Sequence, residues 1–210
     1  IEQPDALAVW AWDGALSYRE LDCLSSNLAR RLMARGVGPE AFVGICFDRC
    51  KWTLVSVLAV AKAGGAFCLM DSSHPTYRLR EICDALGANL VITTPTHVAK
   101  VSKCERPLLV VVEGVCSETD DLPGGLGSEH RDTLPRNALY AVFTSGSTGK
   151  PKGVVITHEN LAATIKNCPQ RLDLRPGDRS LHFASYAFDF SIIEVIVPMV
   201  VGACVCIPSE

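Results

Sequence analysis

Ten consecutive residues, Thr144-Ser145-Gly146-Ser147-Thr148-Gly149-Lys150-Pro151-Lys152-Gly153, gather four hydroxyls, three glycines and two lysines. They follow the apolar run Tyr140-Ala141-Val142-Phe143 and lead into Val154-Val155-Ile156. Glycine lets backbone N–H groups turn toward a ligand and approach it closely. Hydroxyls donate to phosphate oxygens, and lysine supplies a compact positive charge. This composition suits a polyphosphate. A Walker loop does not fit: Thr144 stands where its first Gly belongs, and Pro151 where Ser or Thr follows its Lys. Such a loop also opens a helix, whereas this one leads into a strand. A second candidate is Asp189, within Phe188-Asp189-Phe190-Ser191 at an expected strand-to-helix junction. As a lone residue there, a carboxylate reads as an N-cap.

The flanking pattern predicts the elements that carry these residues. Ser17-Tyr18-Arg19-Glu20 is a capping box. Leu21, Leu24, Leu28 and Leu32 continue it as a helix stopped by Gly36. Strands are expected over 42–47, 66–70, 89–93, 108–112, 138–144, 153–157, 179–184 and 203–207. Helices are expected over 52–63, from near Pro75 to Gly87, over 158–167 and over 190–200. Residues 113–137 are polar and turn-rich, and read as a surface connection or subdomain boundary. Strands alternating with helices predict an α/β protein of mostly parallel sheets covered by helices.

Composition removes several classes. With 210 residues, 48% hydrophobic and 20% charged, the chain has an ordinary globular make-up of one or two domains. Net charge is −3, and from Tyr140 onward six Lys/Arg face six Asp/Glu. Nucleic acid is therefore not an expected partner. Most of the ten cysteines sit inside apolar segments and no C-x-x-C occurs, so they read as reduced thiols and no metal site is expected. The longest apolar stretch, residues 195–207, is 13 residues and carries Pro198 and Gly202. A bilayer span needs about 20. With no basic-apolar leader at Ile1-Glu2-Gln3-Pro4-Asp5, the expectation is a cytoplasmic protein without membrane association.

The 144–153 loop resembles the signature of the AMP-forming adenylating enzymes, which include acyl-CoA synthetases and nonribosomal peptide synthetase adenylation domains. Leu16-Ser17-Tyr18-Arg19-Glu20-Leu21 is similar to the first core motif of the peptide-synthetase group. Lys62-Ala63-Gly64-Gly65-Ala66-Phe67-Cys68-Leu69-Met70-Asp71 with Pro75 is similar to the second, departing from it at Cys68 and Met70. Phe188-Asp189-Phe190-Ser191 is similar to the fourth, and the ending Cys204-Val205-Cys206-Ile207-Pro208-Ser209-Glu210 resembles fungal synthetases. The resemblance implies the N-terminal portion of an adenylation domain, with the remainder of the catalytic unit outside residues 1–210 and this part inactive alone. It implies activation of an α-amino acid by ATP, giving an aminoacyl-adenylate and pyrophosphate. The acyl group would then pass to the phosphopantetheine thiol of a carrier domain, beside a condensation domain in the same synthetase. Thr144, Ser145, Gly146, Ser147, Thr148, Gly149, Lys150 and Lys152 would hold the phosphates. Asp189 would pair with the substrate ammonium, with Phe190 and Ile193 lining the pocket. The ligand of Mg²⁺ would lie beyond this chain. An acyl-CoA or aryl-acid ligase, and a non-catalytic nucleotide-binding module, remain as alternative readings.

Overall fold

The computed structural model describes residues 3–112, 133–145, 151–186 and 188–209. Most of the expected connection at 113–137, namely 113–132, lies outside the described residues.

The chain opens with a hairpin in which β1 (Leu7–Ala11) runs antiparallel to β2 (Gly14–Ser17). Neither strand is expected from the sequence, because such short strands offer too little alternation to read. Gly14 takes a φ of +137°, and a Cβ there would lie 3.0 Å from Lys51 Nζ. That ammonium donates to the Asp13 carbonyl at 3.1 Å, and the Lys51 N–H donates to the Asp13 carboxylate at 3.0 Å. The hairpin turn is thereby tied to the start of helix α2 (Lys51–Lys62).

Ser17 caps α1 (Tyr18–Met33) as the sequence predicts. Its hydroxyl accepts the Glu20 N–H at 3.2 Å, while the Glu20 carboxylate accepts the Ser17 N–H at 2.7 Å. The hydrogen bonds from the Ser17 backbone and hydroxyl hold the Glu20 carboxyl below its ordinary range. Helices α1 and α2 are stapled by Lys62, whose ammonium reaches the Asp22 carboxylate at 2.6 Å and the Ser25 and Ser26 hydroxyls at 2.8 Å.

Six strands form the larger sheet, in the order β6-β5-β3-β4-β7-β8. They are β3 (Phe42–Phe47), β4 (Ala66–Asp71), β5 (Leu90–Thr93), β6 (Leu108–Val110), β7 (Ala138–Ser145) and β8 (Pro151–Thr157). Successive side chains of a strand point to opposite faces. Val43, Ile45, Phe47, Phe67 and Leu69 accordingly join the core that also holds α1 and α2. Cys46, Cys68 and Met70 join a second cluster with Leu79, Ile82 and Cys83 of α3 (Thr76–Leu86) and Val101 of the short α4 (Val98–Val101). This two-sided burial explains why β3 and β4 read as unbroken apolar runs. Burial pushes the Cys46 and Cys83 thiols up to about 12, so both remain protonated hydrophobes.

A smaller sheet, ordered β2-β1-β10-β9, joins the two ends of the chain. Here β10 (Cys204–Ile207) lies parallel between β1 and β9 (Arg179–Leu181), with Val9 opposite Val205. Six of the eight strand pairings among the described residues are parallel, which bears out the mostly parallel α/β class.

Two boundaries differ from expectation by three residues or more. Helix α5 (His158–Leu172) runs past Asn167, and its start is secured by a reciprocal pair between Thr157 and Asn160. Strand β9 ends at Leu181 instead of continuing to Ala184. Just past it, the Glu194 carboxylate on α6 (Phe190–Val201) accepts the N–H groups of both Phe183 and Ala184. No helix among the described residues is long and apolar enough to cross a membrane.

Candidate active site

The signature segment spans the tip of the β7–β8 hairpin. The register sets Phe143 opposite Gly153, Thr144 opposite Lys152 and Ser145 opposite Pro151. Gly153 is required by close packing: a Cβ there would lie 3.1 Å from two atoms of the Phe143 ring. Gly146, Ser147, Thr148, Gly149 and Lys150 lie outside the described residues. Lys152 is exposed on the returning strand. The two arms that flank the loop are thus adjacent strands at the edge of the large sheet, beyond the carboxyl end of parallel strand β4. In open α/β sheets ligands bind at such carboxyl ends.

Next to Phe143, a narrow cleft opens between Asp71 at the end of β4, His74, Arg78 and Tyr186. Burial raises the Asp71 carboxyl, but hydrogen bonds from the Ser185 hydroxyl and from the Ser73 hydroxyl and N–H outweigh it and leave it below its ordinary range.

Asp189 occupies the N-cap position of α6 with a helical backbone (φ −60°, ψ −29°) and makes no side-chain cap hydrogen bond. The capping role open to it in the sequence is therefore not the one it adopts. Its carboxylate is exposed and acts on Tyr140 of β7, whose hydroxyl is pushed up by burial and then by the Asp189 charge. Tyr140 itself stacks on Phe67 with ring centroids 5.6 Å apart. The fold thus brings Asp189 beside the strand that ends in Thr144 and Ser145. Phe190 is 52% exposed, and Ile193 is part-buried against the main core. Ile193 therefore also does ordinary packing work, whereas Phe190 presents its ring outward.

Sequence reading missed the residues that hold this arrangement. One carboxylate oxygen of Glu194, Oε2, accepts the Phe183 N–H at 3.0 Å and the Ala184 N–H at 2.9 Å, and lies 3.1 Å from His182 Nδ1. His182 is fully buried and stacks on Tyr186 at 5.4 Å. Burial pushes the His182 pKa down against the opposing pull of Glu194, so the ring is neutral near pH 7. The Glu194 anion fixes the tautomer with the proton on Nδ1. One signal was present in the sequence: Glu194 is the sole charge in the apolar helix Phe-Ser-Ile-Ile-Glu-Val-Ile-Val-Pro-Met-Val-Val. Charged residues are rarely placed on such a helix without a partner.

A hydroxyl- and glycine-rich segment joining two strands at the carboxyl end of a mostly parallel sheet suits an enzyme that binds a nucleotide. The AMP-binding enzyme family is matched along residues 2–210, and the chain belongs to that family. It is 49% identical over 208 residues to D-lysergyl-peptide-synthetase subunit 3 of Claviceps purpurea, covering 99% of this chain and 13% of that protein. Among solved structures it resembles the nonribosomal peptide synthetase FmoA3 in its α-methyl-L-serine-AMP bound form, with TM-score 0.82 and 26% identity over 99% of this chain and 22% of that one. The AMPPNP bound form of FmoA3 matches with TM-score 0.79 and 27% identity over 100% of this chain and 22% of that one. The chain therefore spans about an eighth of this relative's length and about a fifth of the solved synthetase.

Proposed function

We propose that the protein containing this chain activates an α-amino acid with ATP and transfers it to a carrier thiol. The carboxylate oxygen of the amino acid attacks the α-phosphorus, a P–O bond forms, and the bond to pyrophosphate breaks. Two anions must meet, so the barrier is largely electrostatic. Thr144, Ser145, Ser147 and Thr148, with the amides around Gly146 and Gly149, would hold the β- and γ-phosphates, and Lys150 and Lys152 would offset their charge. The AMPPNP complex of FmoA3 supports a nucleotide in this fold.

The observation that carries the amino-acid reading is Asp189: an exposed carboxylate, uncommitted as a helix cap, beside the strand that leads into the signature loop. An acid so placed favours a substrate bearing its own positive charge. Phe190 and Ile193 would line the side-chain pocket. Among the described residues no group of three or more His, Cys, Asp or Glu could hold a metal. The protein ligand of the ATP-borne Mg²⁺ would lie in a part of the protein outside this chain. The acceptor thiol would be phosphopantetheine on a carrier domain, with a condensation domain in the same cytoplasmic synthetase. Residues 1–210 alone are expected to give no turnover.

Amino-acid-dependent ATP–pyrophosphate exchange by the intact protein tests this reading. Exchange with one α-amino acid, lost in Asp189→Ala while nucleotide binding persists, supports it. Exchange driven by an aryl or fatty acid, and indifferent to Asp189→Ala, overturns it.

A further inference from the structure

The segment from His182 to Glu194 is a loop closed at its base and open at its apex. At the base, Glu194 Oε2 takes two consecutive backbone N–H groups and the His182 ring. Arg49 donates to the Phe183 carbonyl at 2.6 Å. The Tyr186 hydroxyl bonds Thr53 Oγ1 of α2 at 2.8 Å, and the Ser185 hydroxyl donates to Asp71 at the end of β4. Three side chains from other parts of the fold, Arg49, Thr53 and Asp71, together with Glu194, therefore hold residues 182–186. The apex follows directly: the Phe188 N–H donates to the Ser185 carbonyl at 3.0 Å, and the Asp189 carbonyl accepts the Ile192 N–H at 3.0 Å. At the apex Phe188 is 65% exposed, Phe190 is 52% exposed and Asp189 is exposed. A fixed base under an exposed apex is the arrangement of a preorganised binding group.

Glu194 does more than fill a buried position. By accepting the Phe183 and Ala184 N–H groups it anchors the backbone just past the end of β9, on the stretch that leads to Asp189. Leaving one carboxylate buried with neutral His182 carries a desolvation cost, and replacement by apolar side chains is often tolerated where only stability is at stake. What an apolar residue could not do is accept those two N–H groups.

We propose that Glu194, oriented by His182, is the positioning residue that sets the Asp189 carboxylate for the substrate ammonium. This rests on the reading of Asp189 given above. Glu194 touches neither substrate nor nucleotide in this scheme and acts only through the 183–189 backbone.

The test is steady-state exchange kinetics of the intact protein carrying Asp189→Ala, Glu194→Ala, Glu194→Gln or the double change Asp189→Ala/Glu194→Ala. Misplacing a binding group by about 1 Å costs on the order of tenfold to a hundredfold. Glu194→Ala is expected to raise the KM for the amino acid by about that factor and to leave the KM for ATP within about twofold. Glu194→Gln should recover most of the loss, since an amide oxygen in the place of Oε2 still accepts both N–H groups and the Nδ1–H of His182. If Glu194 acts through Asp189, the double variant is no worse than Asp189→Ala alone. Equal rises in both KM values, or full additivity in the double variant, would show a general structural role and overturn the inference. Asp189→Ala raising the amino-acid KM while Glu194→Ala is silent overturns it alone. An ineffective Asp189→Ala overturns the ammonium reading and this inference together. Should Glu194→Ala melt below the assay temperature, His182→Asn carries the same test: a selective rise in amino-acid KM supports the proposal, and an equal rise in both overturns it.

Discussion

The β7–β8 hairpin and the 182–194 loop approach the same end of the large sheet and are built in opposite ways. The hairpin carries its chemistry in contiguous residues, Thr144 to Gly153, and its two arms are fixed by a local antiparallel ladder. The loop carries one exposed acid, and the residues that hold it come from positions as distant as Arg49, Thr53 and Asp71. A phosphate site needs many similar donors converging on one anion, and a glycine-rich turn supplies them locally. A site for a single ammonium needs one acid in one place, and the placement has to come from the surrounding fold.

This contrast predicts that lesions in the two regions separate by substrate. The largest effect belongs to Asp189→Ala. Losing a charged hydrogen bond costs about 1.5–3 kcal/mol, a rise of about 10- to 150-fold in the amino-acid KM. The KM for ATP should not follow, and a parallel rise in both would collapse the distinction. Next is Gly153→Val in the hairpin, where the new side chain meets the Phe143 ring. Overpacking of this kind costs about 1–3 kcal/mol, read as a lower denaturant midpoint. Here the KM for ATP should rise ahead of that for the amino acid. A smaller effect is expected for Tyr186→Phe, which strips a buried bond from Thr53 Oγ1 and costs about 0.5–1.5 kcal/mol in chemical denaturation.

The smallest effect is a pH dependence confined to the loop. His182 has a folded pKa below its unfolded value, because burial outweighs Glu194, and Arg49 nearby pushes in the same direction as burial. The folded state then binds fewer protons, so stability is intact above the unfolded value of about 6.5 and falls as pH drops below it. Amide protection at Phe183 and Ala184, corrected for intrinsic exchange, should fall as the pH drops below about 6.5 while protection in β3 and β4 stays unchanged. A uniform loss of protection across both regions would break the comparison.

The sequence carried some parts of this fold and not others, for physical reasons. Ser17 and Glu20 are three residues apart, so their capping box is a local event and could be read directly. The alternate burial of Val43, Ile45 and Phe47 against Cys46 needs both faces covered, and the run of apolar residues already said so. The end of β9 was not legible, because the N–H groups that follow it, of Phe183 and Ala184, are taken by a carboxylate on the following helix. Likewise Asp189 could be found by motif, but its freedom from capping depends on a backbone angle that no spacing encodes. The signature loop was legible as chemistry, while the pairing of Thr144 with Lys152 became visible only in the hairpin register.

The pairing of β1 with β10 has a consequence for how the chain is made. Val9 lies opposite Val205, so the smaller sheet cannot close until the roughly 200 residues that separate these strands have left the ribosome. At about 5–20 residues per second, that delay is on the order of 10–40 s. Throughout it the β1–β2 hairpin offers an unpaired edge and the apolar face of Val9 and Ala11 to whatever is nearby. The larger sheet gains β3, β4 and β5 far earlier in synthesis. Assembly of this segment should therefore proceed from the middle outward, with β1, made before the strands of the larger sheet, among the last to find its parallel partner β10.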